Sequence, residues 1–340
     1  MSIRALVLRT APDDETREKW ERFLEHADFA THYTSPKFFD EPFFGPDQCF
    51  AILAVEGNDV VGVLTGLIDA RQLSCGLIPR PQVSLSKDAG VEVERALASA
   101  LKSVASGQEL ITVYSWRALS GFEDEGFRVK VQPDSIVLLD LSLGAEKLLQ
   151  DFSESRRRNI RKALRAGKIE ISDANTAADY EEYYPIYVEW CKGKRLPAVT
   201  YDTLVKAFEL RESRRLFLAR FEGRVIAGAI VRFYRGGVVE YAANSSTPEA
   251  LTLRPNDLLH WHIINWAVDA GFSCYSLGGA HTFLRRFGGT LVSSYRLRQD
   301  RSLFRVHDTK EACQRGIARI AGRLPSGAKE RLRRLVGGIR

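Results

Sequence analysis

The sequence predicts an α+β protein made of two tandem copies of one unit. Each copy is a mixed, mostly antiparallel sheet flanked by helices, and a basic helical tail follows. Residues 216–234, LFLARFEGRVIAGAIVRFY, lie without gaps on residues 50–68, FAILAVEGNDVVGVLTGLI, at an offset of 166. Both read as an apolar strand, a tight turn (Glu56-Gly57 and Glu222-Gly223) and a second apolar strand. The same offset carries the helical pattern of 91–106 onto 257–272. A hairpin and a helix repeating at one offset point to duplication, and 340 residues are enough for two cores. The expected division is 1–143, 144–309 and a tail over 310–340.

Taken in order, residues 14–28 form a helix with Trp20, Phe23 and Leu24 on one face. A turn-rich aromatic stretch, HYTSPKFFDEPFFGPDQ, reads as a connection packed on the core, with the lining of a cleft as the alternative. After the first hairpin come the loop CGLIPRPQVSLSKDAG, the helix from Val91, the strand LITVY and a strand pair near 127–141 that includes IVLLDL. The helix over 152–167 has Ser153 as N-cap and Gly167 at its end. Further helices are expected over 177–191 and 200–211. The second hairpin leads to the strand VVEYAAN, the loop SSTPEALTLRP, the helix from Asn256 and the strand CYSL, and a last strand pair, SSYRLRQD and RSLFRVH, closes the unit. Gly62 and Gly228 share one place in the two hairpins, where a bulge or a close backbone approach is expected. This order of elements resembles the GNAT acyltransferase fold, so the duplication implies two GNAT-like units facing across a cleft.

An apolar fraction of 45% and a charged fraction of 27% describe a globular chain. No apolar run has the length of a signal peptide or a membrane span, and five scattered cysteines suit a reducing compartment. A cytoplasmic protein is expected, associated at most with the inner membrane face. The net charge of +6 is concentrated: residues 310–340 hold nine Lys/Arg and two Asp/Glu, so the remaining chain carries −1. Charge therefore gives no support to nucleic-acid binding by the body of the protein. Arg315, Arg319 and Arg323 beside Ile317, Ile320 and Leu324, then a second basic helix over 329–336, suit an anionic membrane surface.

The chemistry is expected in three places. In SESRRRNIRKALRAGK, Arg156, Arg157, Arg158, Arg161, Lys162, Arg165 and Lys168 leave most of a helix positive. The first three lie in the opening turn, where the helix dipole disfavours cations by about 0.3–1 kcal/mol each. An anionic ligand would offset that cost, and a solvated face paired with Glu181 or Glu182 is the structural alternative. Arg156, Arg158, Asn159, Arg161 and Lys162 are the expected substrate-binding residues, joined by Tyr187 and Trp190 of the next helix. On the strand before the loop, Glu240 is the candidate base, with Tyr241 as its polar neighbour. Asn244, Arg254, the helix start at Pro255-Asn256, and Gly278-Gly279 are the expected donor-binding positions. No metal is expected: His260 and His262 are two apart on a helix and diverge, and His281 is a lone loop histidine.

SRRRNIRKALRAG resembles the S-x-R-x-N-x-R-K-A-x-x-x-G signature of the Fem family, GNAT-related aminoacyl and acyl transferases with two tandem units. LRPNDLLHWHIINWAVDAGFSCYSLGGA is similar to that family's second signature, and FLRRFGG resembles its closing F-K-x-x-F-G. The match covers about 153–290. It implies attack of an amine on an activated acyl group, with an anionic small-molecule or lipid-linked acceptor. Two departures stand out. The family's lysine falls on Leu284, leaving Arg285 or Arg286 to supply the cation, and SSTPEALTLRPND lacks the glycines of the usual acetyl-CoA loop. The leading expectation is an N-acyltransferase using acyl-CoA and acting on a cell-envelope precursor or amino sugar. The alternatives are an aminoacyl-tRNA-dependent transferase and a non-catalytic protein that binds an anionic ligand.

Overall fold

The protein is described by a computed structural model over residues 3–323, apart from Pro46. The chain enters on β1 (Ile3–Leu8) and α1 (Asp14–Leu24), then crosses a connection with two 3-10 turns, His32–Thr34 and Pro36–Asp40. The hairpin β2 (Cys49–Glu56) and β3 (Asp59–Ile68) follows, then β4 (Gln72–Cys75), β5 (Val83–Leu85), α2 (Val91–Val104), β6 (Leu110–Ser115), α3 (Ser120–Asp124) and the long β7 (Arg128–Asp140). The second half runs α4 (Ala145–Asp151), α5 (Glu154–Ala166), β8 (Ile169–Asp173), α6 (Ala177–Lys194), α7 (Tyr201–Phe208), β9 (Arg214–Phe221), β10 (Arg224–Phe233) and β11 (Val238–Ser246). It ends with α8 (Pro255–Asp269), β12 (Cys274–Ser276), α9 (Thr282–Arg285), β13 (Thr290–Asp300) and α10 (Val306–Arg323).

Among the described residues all thirteen strands join one sheet, in the order β1-β2-β3-β4-β6-β13-β7-β12-β11-β10-β9-β8, with β5 added to β3. The centre of this order shows how the halves are joined. β7 lies between β12 and β13, both from the second half, while β13 lies between β6 and β7. Each half gives its last long strand to the sheet of the other, so the two cannot separate without breaking backbone ladders. This corrects the two expected strand pairs. Residues near 127–141 form one strand, with IVLLDL as its second half, because its partners come from across the seam. SSYRLRQD belongs to β13, while RSLFRVH turns into a 3-10 turn and the start of α10. The second basic helix expected over 329–336 lies outside the described residues.

Side-chain alternation along each hairpin builds two cores on opposite sheet faces. Ile52, Ala54 and Leu64 pack under α2, while Leu53, Val55 and Val63 pack with Trp20 of α1. In the second half, Phe217 and Ala219 pack under α8, and Leu216 and Leu218 under α6 and α7. The helices are capped as their sequences dictate. The Ser153 hydroxyl accepts the Arg156 N–H, Gly167 ends α5 in the left-handed region, and Thr176 and Asp179 form a capping box on α6.

The structural repeat is one residue out of step with the gapless sequence match. Glu56 pairs with Asp59, but Phe221 pairs with Arg224, so the turn residues are Gly57-Asn58 and Glu222-Gly223. A one-residue slip exchanges sheet faces. Accordingly Gly62 and Gly228, aligned in sequence, serve different contacts. A Cβ on Gly62 would sit 2.8 Å from Val93 of α2, and one on Gly228 would sit 2.5 Å from the Tyr183 ring of α6. Tyr183 is fully buried and its hydroxyl is 3.1 Å from Ser245 Oγ, so it has little room to yield. Gly228→Ala is expected to cost about 1–3 kcal/mol, read as a lower urea midpoint at unchanged slope.

Candidate active site

The sheet carries a row of charge across three neighbouring strands. Arg232 of β10 pairs directly with Arg214 of β9 on one side and with Glu240 of β11 on the other. Directly paired residues share a face, so the row Arg214–Arg232–Glu240 lies on the α6 side. It ends under the connection from the first half, which is clamped to β11 where Val238 N–H donates to the Ala30 carbonyl at 2.8 Å. Arg214 donates to the Glu41 carboxylate, and Glu41 is also 2.5 Å from His32 Nε2. Arg232 donates to the Tyr33 hydroxyl at 2.8 Å. From the loop between β4 and β5, the Arg80 guanidinium lies 4.0 Å from the Tyr33 ring centre.

Burial sets the protonation of these groups. Desolvation drives His32 below its ordinary value, so the neutral ring donates its Nε2 proton to Glu41. Burial alone would raise Glu41, but the His32 hydrogen bond and the Arg214 charge outweigh it and hold the carboxyl at about 2, against an ordinary 4.5. The folded-state value lies below the unfolded one. This stability is therefore complete above about pH 4.5 and disappears as the pH falls toward 2. Glu41→Gln is expected to remove that acid limb and to cost about 3 kcal/mol at neutral pH by leaving Arg214 buried without its carboxylate; acid titration of urea unfolding checks both.

Glu240 is different. It is 2% exposed, and neither carboxylate oxygen has a hydrogen-bond partner among the described residues. Burial raises its pKa, opposed by the nearby Arg232 and Arg80 charges. It also stands where the sheet opens. β11 and β12 run parallel only from Val238 to Glu240 and from Cys274 to Ser276. Beyond Glu240 the β12-facing edge of β11 has no strand beside it among the described residues, and a register slip opposite Ile230 and Val231 bulges the strand at Ala242. Asn244 lies past the bulge, paired with Ala229 and hence on the α8 side, buried with both amide atoms unpartnered among the described residues.

The other expected site residues fall into distinct places. Tyr241 is not a neighbour of Glu240: successive strand residues face opposite ways, and its ring lies on the α8 side, 4.9 Å from His260. Arg156 is not presented to a ligand. It is 3% exposed, bonded to Asp257 and to the Phe283 carbonyl, and its guanidinium lies 4.0 and 4.2 Å from the ring centres of Phe283 and Phe287. The Asn159 amide reaches the same Asp257 at 3.4 Å. Arg156, at a variable place of the first signature, and the signature's Asn159 thus dock α5 onto the start of α8, while the signature's Arg157 donates to the Phe152 carbonyl at 2.6 Å. Arg158, Arg161 and Lys162 point away, along an exposed groove that also includes Arg157 and Arg165.

Arg285 is committed elsewhere, donating to the Ala280 carbonyl at 2.6 Å and to the Asp134 carbonyl at 2.9 Å. Leu284, at the family lysine's place, is buried in the core. Gly279 and Leu277 hold β7: the Gly279 carbonyl accepts the Val137 N–H and the Leu277 N–H donates to the Val137 carbonyl, both at 3.0 Å. Gly278 adopts φ 70°, and a Cβ there would sit 3.0 Å from the Tyr241 carbonyl. Arg254, at φ 60°, precedes α8, which has no side-chain cap; Asn256 Nδ2 lies 3.5 Å from Ser246 Oγ. Tyr187 packs on the α6 side and its hydroxyl accepts from Val199 N–H at 3.4 Å, while Trp190 is half-buried further along α6. His260 is buried, 2.9 Å from the Tyr275 hydroxyl, and burial pushes it down to about 3. Sequence reading missed Glu41, Arg214, Arg232 and Arg80. A visible sign was present, since RRLFLARF and AIVRFY place arginines inside apolar strands, where a cation is kept only with a partner.

Residues 150–286 match the family described as "Acetyltransferase (GNAT) domain". No curated protein sequence matches the chain significantly. Among solved structures, FemX is similar over 83% of this chain and 95% of its own, at TM-score 0.65 and 12% identity. L-PGS from Bacillus licheniformis is similar over 91% and 98%, at TM-score 0.57 and 14% identity. A tandem GNAT protein from the clavulanic acid biosynthesis pathway is similar over 89% and 99%, at TM-score 0.54 and 12% identity. Residues 150–286 thus carry the GNAT domain match, and the chain as a whole has the tandem GNAT fold that it shares with these structures.

Proposed function

We propose that the protein is an N-acyltransferase that moves an acyl group, acetyl being the first choice, from acyl-CoA onto an amine of a cell-envelope precursor or amino sugar. The observation that carries this reading is Glu240, a buried carboxylate without a hydrogen-bond partner at the point where β11 and β12 part. The family match to an acetyltransferase domain supports the donor, as does the relative from the clavulanic acid pathway, whose structure is described as lacking AcCoA. The open edge of β11 is a template for an extended donor arm, since unpaired strand N–H and C=O groups bind such chains. The orphaned Asn244 amide and the uncapped start of α8 beside Arg254 are its further polar contacts.

In the reaction, the amine nitrogen attacks the acyl carbonyl carbon and its proton passes to Glu240. Backbone N–H groups at the β11 bulge receive the oxyanion. The tetrahedral adduct then expels the CoA sulfur as thiolate, which takes a proton from solvent. Acetyl-CoA at a hundredfold excess over its Kd is expected to stabilise the native protein by about 2.7 kcal/mol, and so to raise the melting temperature. Asn244→Leu should abolish that shift. Silence of the wild-type protein with CoA species, beside a shift with charged tRNA, would reject the donor.

The exposed cations Arg158, Arg161, Lys162 and Arg165 of α5 favour a second reading, in which aminoacyl-tRNA is the donor. That reading requires binding that falls steeply with salt, because each phosphate contact releases a counterion.

A further inference from the structure

The charge row and its cover are mismatched in one place. From the first half, Glu41 meets Arg214 and Tyr33 meets Arg232, so these two row members have partners across the seam. Glu240, the third, has none among the described residues, although both its oxygens are buried. On the covering side, the Arg80 side chain forms no hydrogen bond or ion pair with any described residue; its Nε is buried without a partner, as is that of Arg232. Arg80 and Arg232 are close enough to Glu240 to oppose its neutralisation, yet neither is bonded to it. Three guanidinium groups stand here against Glu41 and Glu240, and Glu41 is already taken by Arg214 and His32.

Unpaired charges of both signs, held near one another without contact, suit a molecule that carries both complementary signs. Arg80 and Arg232 are the half-buried members of this seam, whereas Glu41, Arg214 and Glu240 are buried. Arg80 is only half-buried, on a loop fixed at both ends: Leu77 and Arg80 bond reciprocally, and the Ile78 carbonyl accepts from the Trp116 indole at 3.0 Å.

We propose that the acceptor carries an acidic group close to its reactive amine, with Arg80 and Arg232 holding the acid while Glu240 receives the amine. This rests on the reading of Glu240 as base and names the substrate class of that site: a zwitterion, its acid a carboxylate or a phosphate. Anion recognition by the guanidinium groups fixes the amine's position, and the proton it loses has one carboxylate to go to.

The test pairs each acidic probe with a neutral twin, using glycylglycine against glycylglycinamide and glucosamine 6-phosphate against glucosamine. Calorimetry measures binding, and CoA release from acetyl-CoA measures turnover. At least one acidic probe is expected to bind at least about tenfold more tightly than its twin, the effect of one good charge-assisted contact. The dipeptide pair reports a carboxylate and the sugar pair a phosphate. Arg80→Gln breaks no internal hydrogen bond and is expected to bring the ratio near one, with Arg80→Lys restoring part of it. A ratio near one in the wild-type protein, a preference that survives Arg80→Gln, or no binding by either acidic probe overturns the proposal. Glu240→Gln separates it from the parent reading. Loss of turnover with the binding preference kept supports both, while unchanged turnover removes the base and leaves Arg80 to be judged by the ratio alone.

Discussion

Glu240→Gln is expected to lower kcat by about 10²–10⁴-fold, the usual share of a positioned general base, with acyl-CoA binding unchanged. The substitution keeps the shape of the side chain and adds no charge to a buried site. The carboxylate has no internal hydrogen bond to lose, so the melting temperature should hold or rise. The pH profile gives an independent check. Burial raises the Glu240 pKa, and a base works only when ionised. Activity should therefore climb with pH along a limb displaced above the ordinary carboxylate range, and that limb should vanish in the variant. A variant with wild-type turnover and the same limb would show that the proton goes elsewhere.

Arg156→Ala is expected to destabilise the fold by about 3–5 kcal/mol, because it strands Asp257 as a buried, unpaired charge. The loss reaches beyond the ion pair. The same guanidinium is bonded to the Phe283 carbonyl and lies over the rings of Phe283 and Phe287, so it joins α5, the start of α8 and the turn that carries α9. Burial lowers its pKa to about 10, which keeps it charged throughout the useful pH range. Urea unfolding of Arg156→Ala, Asp257→Ala and the double variant gives the coupling directly. Single losses of this size with a much smaller double loss are expected. Additive losses would show that the ion pair is not the joint. Arg158→Ala, two residues on and exposed, should leave unfolding unchanged, since it touches neither partner.

The contrast between Arg156 and Arg158 shows where sequence reading reaches its limit. Along α5, the positive run, the Ser153 cap and the Gly167 stop were all legible, because caps and periodicity are local. Which arginine turns inward depends on Asp257, a hundred residues away, and a run of like residues carries no mark of that choice. The glycines at 62 and 228 make the same point. Both were expected at a bulge or a close backbone approach, and at both a neighbouring side chain packs onto the bare glycine, but the contacts lie on opposite sheet faces because one turn is shifted by a residue.

Local chemistry alone determined the two hairpins, the long amphipathic helices and the order of elements that signals a doubled GNAT-like unit, since apolar alternation, turn residues and caps act within a few positions. Glu240 could be singled out from its strand and loop for the same reason. Tertiary structure alone decided that β7 and β13 cross into each other's sheets, because a strand edge pairs with whichever edge the packed halves bring to it. It also decided that Glu41, Arg80, Arg214, Arg232 and Glu240 meet at one seam. Charges distant in the chain acquire a common purpose only when folding removes the water between them.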